Sequence, residues 1–340
     1  MDQTDCQHII LDDLSVGYRR GRRDVVYLLR NISSSVEKGE LVAVIGRNGT
    51  GKSTLIRTLC GLQESLSGEV KLCNTSLDAL NSADKSKIVS FVSTDIVHVS
   101  QMRVYELIAL GRSPYTSWHG RLSNEDHEIV MQAIHNVGLV DKMTSFLTEI
   151  SDGERQRAMI GRALAQDTDI IFLDEPTAFL DVTNRYDMIH LLFSLSRSGN
   201  KTIVFSSHDL QIALNESDRI WLISDKKIID GAPEDLIISG KLSTMYEGNN
   251  IIFNMENADV SIKREKTANI GIAGDQDVYM NWTVKALERL GFEVHQNNLN
   301  IPYVTINKEK GVHWILQKKS GSFRFNSIYE LSLHLRNQSN

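Results

Sequence analysis

Cysteine is nearly missing: three residues, Cys6, Cys60 and Cys73, serve 340 positions. The odd count, the lack of metal-ligand spacing and the absence of a neighbouring His cluster exclude a disulfide scaffold and a Cys-based metal centre. Three reduced thiols fit a cytosolic chain. Long apolar runs are missing too. No window approaches the roughly 18 apolar residues that span a bilayer, so any membrane role has to come through a partner. The opening MDQTDCQHIILDD has neither the basic leader nor the apolar stretch of a signal peptide. Positive charge is not in excess: 37 Lys and Arg face 43 Asp and Glu, a net −6, which argues against holding nucleic acid by bulk electrostatics. A local site for an anion remains compatible with that sign.

What is present is ordinary for a folded protein. Hydrophobic residues make 41% and charged residues 24%, which excludes a disordered chain. A chain of 340 residues has a prior of about two domains. The charge is divided unevenly. Residues 251–340 hold 11 Lys and Arg against 9 Asp and Glu, whereas the first 250 hold 26 against 34. The break coincides with Gly248-Asn249-Asn250, a plausible linker.

The first strong motif is LVAVIGRNGTGKSTLIRTLCGL, residues 41–62. Leu41–Ile45 reads as a buried strand, and Leu55, Ile56, Leu59 and Leu62 recur at helical spacing. Between them runs Gly46-Arg47-Asn48-Gly49-Thr50-Gly51-Lys52-Ser53-Thr54, a nucleotide-binding P-loop. Glycines let the backbone wrap with its N–H groups turned toward phosphate oxygens, and the helix start adds partial positive charge. Lys52 is suited to reach the β- and γ-phosphates, and the Ser53 hydroxyl to ligate Mg²⁺. The second motif is DIIFLDEPTAFLD, 169–181. The strand Ile170–Leu173 ends in Asp174-Glu175, where carboxylates of a parallel sheet face the ligand crevice. Asp174 is placed to hold Mg²⁺, and Glu175 to orient or deprotonate the attacking water. The third is EISDGERQRAMIGRALAQ, 149–166, a helix started by Ser151-Asp152-Gly153, with Ala158, Ile160, Ala163 and Leu164 on its apolar face.

Together these strings resemble ABC-type ATPases, whose signature LSGGQ appears here as ISDGE. The resemblance covers about residues 9–245. It implies an α/β fold, a P-loop ATPase core (1–93 and 166–247) with an inserted helical subdomain (94–165). It also implies ATP and Mg²⁺ as cofactors. By the same resemblance, Tyr18 matches the aromatic that stacks on adenine, Asp181 the D-loop and His208 the switch histidine at the γ-phosphate. Lys52, Glu175 and His208 are the implied catalytic set. Two copies would close head to tail over two ATP molecules, with Ser151, Asp152, Gly153 and Glu154 completing the partner's phosphate site. The string ALGRSPYTSWHGRLSNED looks like ATPases that drive uptake of iron-siderophore complexes, haem or vitamin B12. The implied partners are integral-membrane permease subunits and, indirectly, a periplasmic or lipoprotein substrate-binding protein, with the chain peripheral on the cytoplasmic face of the membrane. In that family the helical subdomain carries the permease groove, and Tyr115 and Trp118 are candidates for groove or core.

Three positions depart from the family pattern. Thr94, in FVSTD, stands where the Q-loop glutamine belongs; its shorter side chain still offers a hydroxyl as a metal ligand. Asp152 and Glu154 bring carboxylates into the signature, repulsive toward a γ-phosphate unless they turn away or pair with Arg155 or Arg157. The basic run Arg19-Arg20-Gly21-Arg22-Arg23 reads as a solvated hairpin.

After Tyr246 the resemblance stops. A strand at 268–274, a helix from Asp277 to Leu290 with Met280, Val284, Leu287 and Leu290 inward, strands FEVHQ, IPYVTIN and VHWILQ, and a closing helix with Ile328, Leu331 and Leu335 form a small α+β domain over 251–340, with regulation or extra dimer contact as its leading role by analogy. A competing reading, a non-transport ABC-type ATPase or nucleotide-dependent regulator, meets only one P-loop and no sustained heptads.

Overall fold

The structure is a computed structural model that describes residues 7–21, 24–94, 101–116, 120–246, 250–255, 258–299, 302–309 and 311–337. The chain forms two compact units: 1–247 with 253–259, and 248–252 with 260–340.

The first unit opens on two long strands, β1 (Gln7–Arg20) and β2 (Asp24–Glu37), followed by β3 (Leu41–Ile45) and helix α1 (Lys52–Leu59). Then come β4 (Ser67–Leu72), β5 (Thr75–Ser76), α2 (Ser82–Ile88) and β6 (Val89–Val92). The helical lobe holds α3 (Val104–Ala109), α4 (Asn124–Asn136) and the start of α5 (Asp152–Ala165). The chain returns through β7 (Ile170–Leu173), α6 (Val182–Arg197), β8 (Thr202–Ser207), α7 (Leu210–Glu216), β9 (Arg219–Ser224), β10 (Lys227–Gly231) and α8 (Pro233–Ile238).

Two sheets result. The central one has the order β10-β9-β3-β8-β7-β6, parallel except for β10. Its strands β3, β7 and β8 are buried throughout, as unbroken apolar runs flanked on both faces should be. The other sheet, β2-β1-β4-β5, is antiparallel and covers one side of the core. Its strands carry bulges at several points of the β1–β2 register, which obscures the period-2 signal in the sequence. Because β3 lies between β8 and β9, and β7 beside β8, the strand ends after Ile45, Leu173 and Ser207 come together at one edge.

Several packing expectations need correction. Leu62 lies beyond the end of α1 and is 63% exposed, because the helix stops at Leu59. The sequence spacing places Ile129, Ala133, Ile134 and Val137 on one helical face, but in α4 it is Val130 rather than the half-buried Ile129 that is buried with the other three. The run IVSFV, 88–92, reads as a strand, but Ile88 closes α2, so β6 begins one residue later. Around the basic run, Arg20 stacks 5.4 Å above the Tyr18 ring; Arg22 and Arg23 lie outside the described residues. So does Trp118, while Tyr115 donates its hydroxyl to Gln166 O at 3.1 Å and carries the Arg112 guanidinium 4.0 Å above its ring. Cys60 is buried and burial pushes its thiol up; Cys6 is outside the described residues.

The second unit contains β13 (Ala268–Ala273), α9 (Val278–Arg289), β14 (Phe292–Gln296), β15 (Tyr303–Asn307), β16 (His313–Lys318), β17 (Gly321–Phe325) and α10 (Ile328–Arg336). A ribbon of β11 (Ile251–Asn254) and β12 (Asp259–Ile262) precedes them. The five-stranded sheet has the order β14-β13-β15-β16-β17, parallel in its first three strands and antiparallel in the rest. Asp277 caps α9 and Ser327 caps α10, each accepting from the backbone N–H three residues on. Ile270, Ile272, Met280, Leu287, Val304, Leu316, Leu331 and Leu335 make a separate core. Strand β17 has no counterpart among the expected elements: GSFRF is only five residues long and opens on Gly321-Ser322 after the turn, so just Phe323 and Phe325 mark its inward face.

Candidate nucleotide site

Between β3 and α1 the chain turns through Gly49 at φ 78° and Gly51 at φ 107°, left-handed values that suit glycine. At Gly46 a side chain would meet the Thr50 hydroxyl at 2.8 Å, so the loop closes on itself there. The buried Lys52 donates to Gly46 O at 2.9 Å and to Arg47 O at 3.4 Å. Its Nζ is also 3.7 Å from Glu175 Oε1. Burial lowers the ammonium's pKa, and the carboxylates of Glu175 and Asp174 oppose that shift. Thr50 donates its hydroxyl to Arg47 O at 2.8 Å, and the Arg47 guanidinium donates to Met245 O.

The acidic pair sits directly after β7. Asp174 is 3% exposed, and its Oδ1 accepts from Ser53 Oγ at 3.0 Å and from Ser206 Oγ at 2.7 Å. Its main-chain O accepts from Thr94 Oγ1 at 3.0 Å. Glu175 takes the left-handed backbone, φ 47°, unusual for a residue with a side chain. Its N–H donates to Ser206 Oγ at 2.8 Å, which pins that turn. The carboxylate is then held between Lys52 and His208, with His208 Nδ1 3.8 Å from Oε2. Lys52, Ser53, Asp174, Glu175 and His208 therefore meet at one edge of the sheet.

Ser206 escaped the sequence reading although it bridges Asp174 and the Glu175 backbone. The available signal was a hydroxyl at the end of an apolar strand, in TIVFSSH, two residues before His208. Among the described residues no three His, Cys, Asp or Glu gather as a metal-holding cluster. The donor set instead consists of one buried carboxylate and hydroxyls, hard oxygens that suit Mg²⁺ shared with phosphates and water.

The signature residues open α5, where Asp152 lines a crevice shared with Thr94 and Glu175. Ser151 caps α5: its Oγ accepts from Glu154 N at 3.2 Å, while Glu154 Oε2 accepts from Ser151 N at 2.8 Å. This reciprocal bond pulls the Glu154 carboxyl below its usual range, chiefly through the Ser151 N–H. The Glu154 carboxylate then pairs with Lys142 at 3.8 Å rather than with Arg155 or Arg157, whereas Asp152 does pair with Arg155, at 2.8 Å. Both added acids are thus tied down within their own helical lobe. A side chain at Gly153 would come within 3.2 Å of Asn184, so this glycine backs onto α6. Asp181 caps α6, accepting from Asn184 N at 2.8 Å. Among the described residues, no hydrogen bond or ion pair joins 151–154 to the loop 46–54. Tyr18 stands half-exposed near the end of β1, beside the surface formed by Gln63 and Glu64.

Residues 29–178 match the family described as ABC transporter, and residues 267–336 match the one described as Iron ABC transporter C-terminal domain. An uncharacterized ABC transporter ATP-binding protein of Methanocaldococcus jannaschii is 35% identical over 237 residues, covering 69% of this chain and 80% of that one. A petrobactin import ATP-binding protein of Bacillus anthracis is 37% identical over 212 residues, covering 62% and 78%. A probable siderophore transport system ATP-binding protein of Bacillus subtilis is 35% identical over 242 residues, covering 71% and 86%. Among solved structures, a bacterial ABC transporter cassette in dimeric form aligns with a TM-score of 0.58 at 25% identity, over 66% of this chain and 98% of that one. The same cassette, in a dimeric post-hydrolysis state bound to ADP and Pi, aligns equally well.

Proposed function

The chain belongs to the ATP-binding proteins of ABC transporters, and we propose that it powers an importer for an iron-siderophore complex, haem or cobalamin. ATP binding and hydrolysis are the family's activity. The importer reading is supported by relatives named for petrobactin, siderophore, iron(3+)-hydroxamate and cobalamin import. The observation that carries it furthest toward iron is the second unit, which matches an iron-transporter C-terminal domain.

In this reading the P-loop N–H groups and Lys52 hold the β- and γ-phosphates. Ser53 and Asp174 would hold Mg²⁺, with Thr94 beside them. When bound, the ion neutralises charge on the β- and γ-oxygens. Glu175 orients the attacking water and accepts its proton at a carboxylate oxygen. Its turn is locked by Ser206, so no reorganisation is needed at that moment. His208 faces the same carboxylate and is placed to contact the γ-phosphate. Tyr18 stacks on the adenine.

Ser151 and Gly153 act on the nucleotide of a second copy. In its own chain Gly153 backs onto Asn184 of α6 and Ser151 caps α5, and the helix N-terminus supplies positive potential for a partner's γ-phosphate. Closure of this homodimer over ATP and its reopening after hydrolysis drive two permease subunits docked on the helical lobes. The chain works peripherally, on the cytoplasmic face of the membrane. A periplasmic or lipoprotein binding protein delivers the substrate to the permease.

The test is Glu175→Gln in the full-length chain. It keeps the side-chain shape and removes the base, so turnover falls at least a hundredfold. ATP then accumulates an uncleaved dimer, read by light scattering. A variant that stays monomeric in saturating ATP counts heavily against this mechanism.

A further inference from the structure

One face of α5 looks onto the acidic end of β7. Asp152, Gln156 and Met159 follow one another at helical spacing and line a crevice with Thr94, Glu175 and Phe179. Its volume, about 20 Å³, accommodates a single water molecule. The polar groups around it are unequally committed. Arg155 is occupied by Leu147 O, Ile150 O and Asp152. Asp152 is held in turn by Arg155. Thr94 spends its proton on Asp174 O and keeps its oxygen lone pairs as acceptors. The Gln156 amide has no hydrogen-bond partner among the described residues. Unlike Thr94, whose proton is already committed, it can both donate and accept within the crevice.

We propose that Gln156 is a positioning residue for the hydrolytic step. Its amide holds Glu175 and Thr94 in register through one water in this crevice. The chemistry is matched at each end: the amide N–H₂ donates toward the Glu175 carboxylate, and the bridging water donates to the Thr94 hydroxyl oxygen. Because Gln156 rides on the signature helix, this link ties the helical lobe to the base. Movement of α5 would then reach Glu175 through a polar bridge, at a position where the sequence offers only the short Thr94. The inference rests on Glu175 being the general base.

The test uses full-length protein carrying Gln156→Met, which keeps length and helix propensity and removes the amide. ATP turnover should fall about tenfold, while KM and the Kd for ATP stay within twofold. Thr94→Val should also lower kcat, and the double variant should be no slower than the slower single, because both substitutions interrupt one bridge. Gln156→Met turning over within twofold of wild type overturns the proposal. So does a parallel loss of ATP binding, which marks a structural role, and so does simple multiplication of the two defects. If Glu175→Gln itself retains turnover, the base assignment fails instead, and that result is distinguishable from all of these.

Discussion

At the scale of single residues, the chain ties down its charges with short local bonds. Asp126 and Arg112 show this best, since both are buried and lie 2.8 Å apart, with Arg112 also donating to Ala165 O. The Ser123 N–H, the Arg112 guanidinium and the Ser123 hydroxyl lower the Asp126 carboxyl from 3.8 to about 2. A depressed carboxyl stabilises the fold above its unfolded pKa, and that contribution is lost as pH falls from about 4 to 2. Asp126→Asn is expected to cost about 2 kcal/mol at pH 7. The gap to wild type should narrow on acidification, as followed by urea unfolding at pH 7, 4 and 3. Both residues belong to the string ALGRSPYTSWHGRLSNED. A buried ion pair thus joins the two ends of that string and closes the helical lobe.

At the scale of elements, close packing replaces charge. Gly111 follows α3 at the point where the chain presses on α5. A side chain there would meet Arg162 O at 2.2 Å, and main chain cannot swing aside as a side-chain tip can. Gly111→Ala should therefore destabilise the first unit by about 1–3 kcal/mol, seen as a lower melting temperature. Gly161, on α5 itself, faces the flexible end of Ile108 at 2.9 Å, so its Ala variant should be milder. Ser151 caps α5 in this chain, and in the homodimer proposed above its hydroxyl also serves a partner's nucleotide. Ser151→Ala should cost about 1 kcal/mol of stability, and ATPase activity should fall by more than that loss explains.

At the scale of the whole molecule, two units with separate cores divide the chain. Residues 253–259 return to the first unit, where Phe253 and Ala258 pack on its core and Gln211 donates to Ala258 O. A chain ending after Asp259 should stay folded and keep ATP hydrolysis. One ending at Asn250 should bind a hydrophobic dye, because it uncovers the apolar surface beneath Phe253. The fragment 260–340 should fold alone, with a cooperative melt by circular dichroism, given the core around Ile272, Leu287 and Leu316.

The sequence by itself determined the local features. The P-loop, the acid-ended strand and the capped signature helix were legible because each depends on contiguous residues: glycines at fixed spacing, an apolar run, a Ser three residues before a Glu. The antiparallel sheet β2-β1-β4-β5 was not legible, since its bulges break the alternation that marks a strand. Tertiary structure alone decided what crosses the chain. Ser206 meets Asp174 across 32 residues and Thr94 reaches it across 80, and Gln156 shares a crevice with Glu175 from a different element. Such pairings depend on strand order and helix packing, which bring distant residues together without leaving a spacing in the sequence to read.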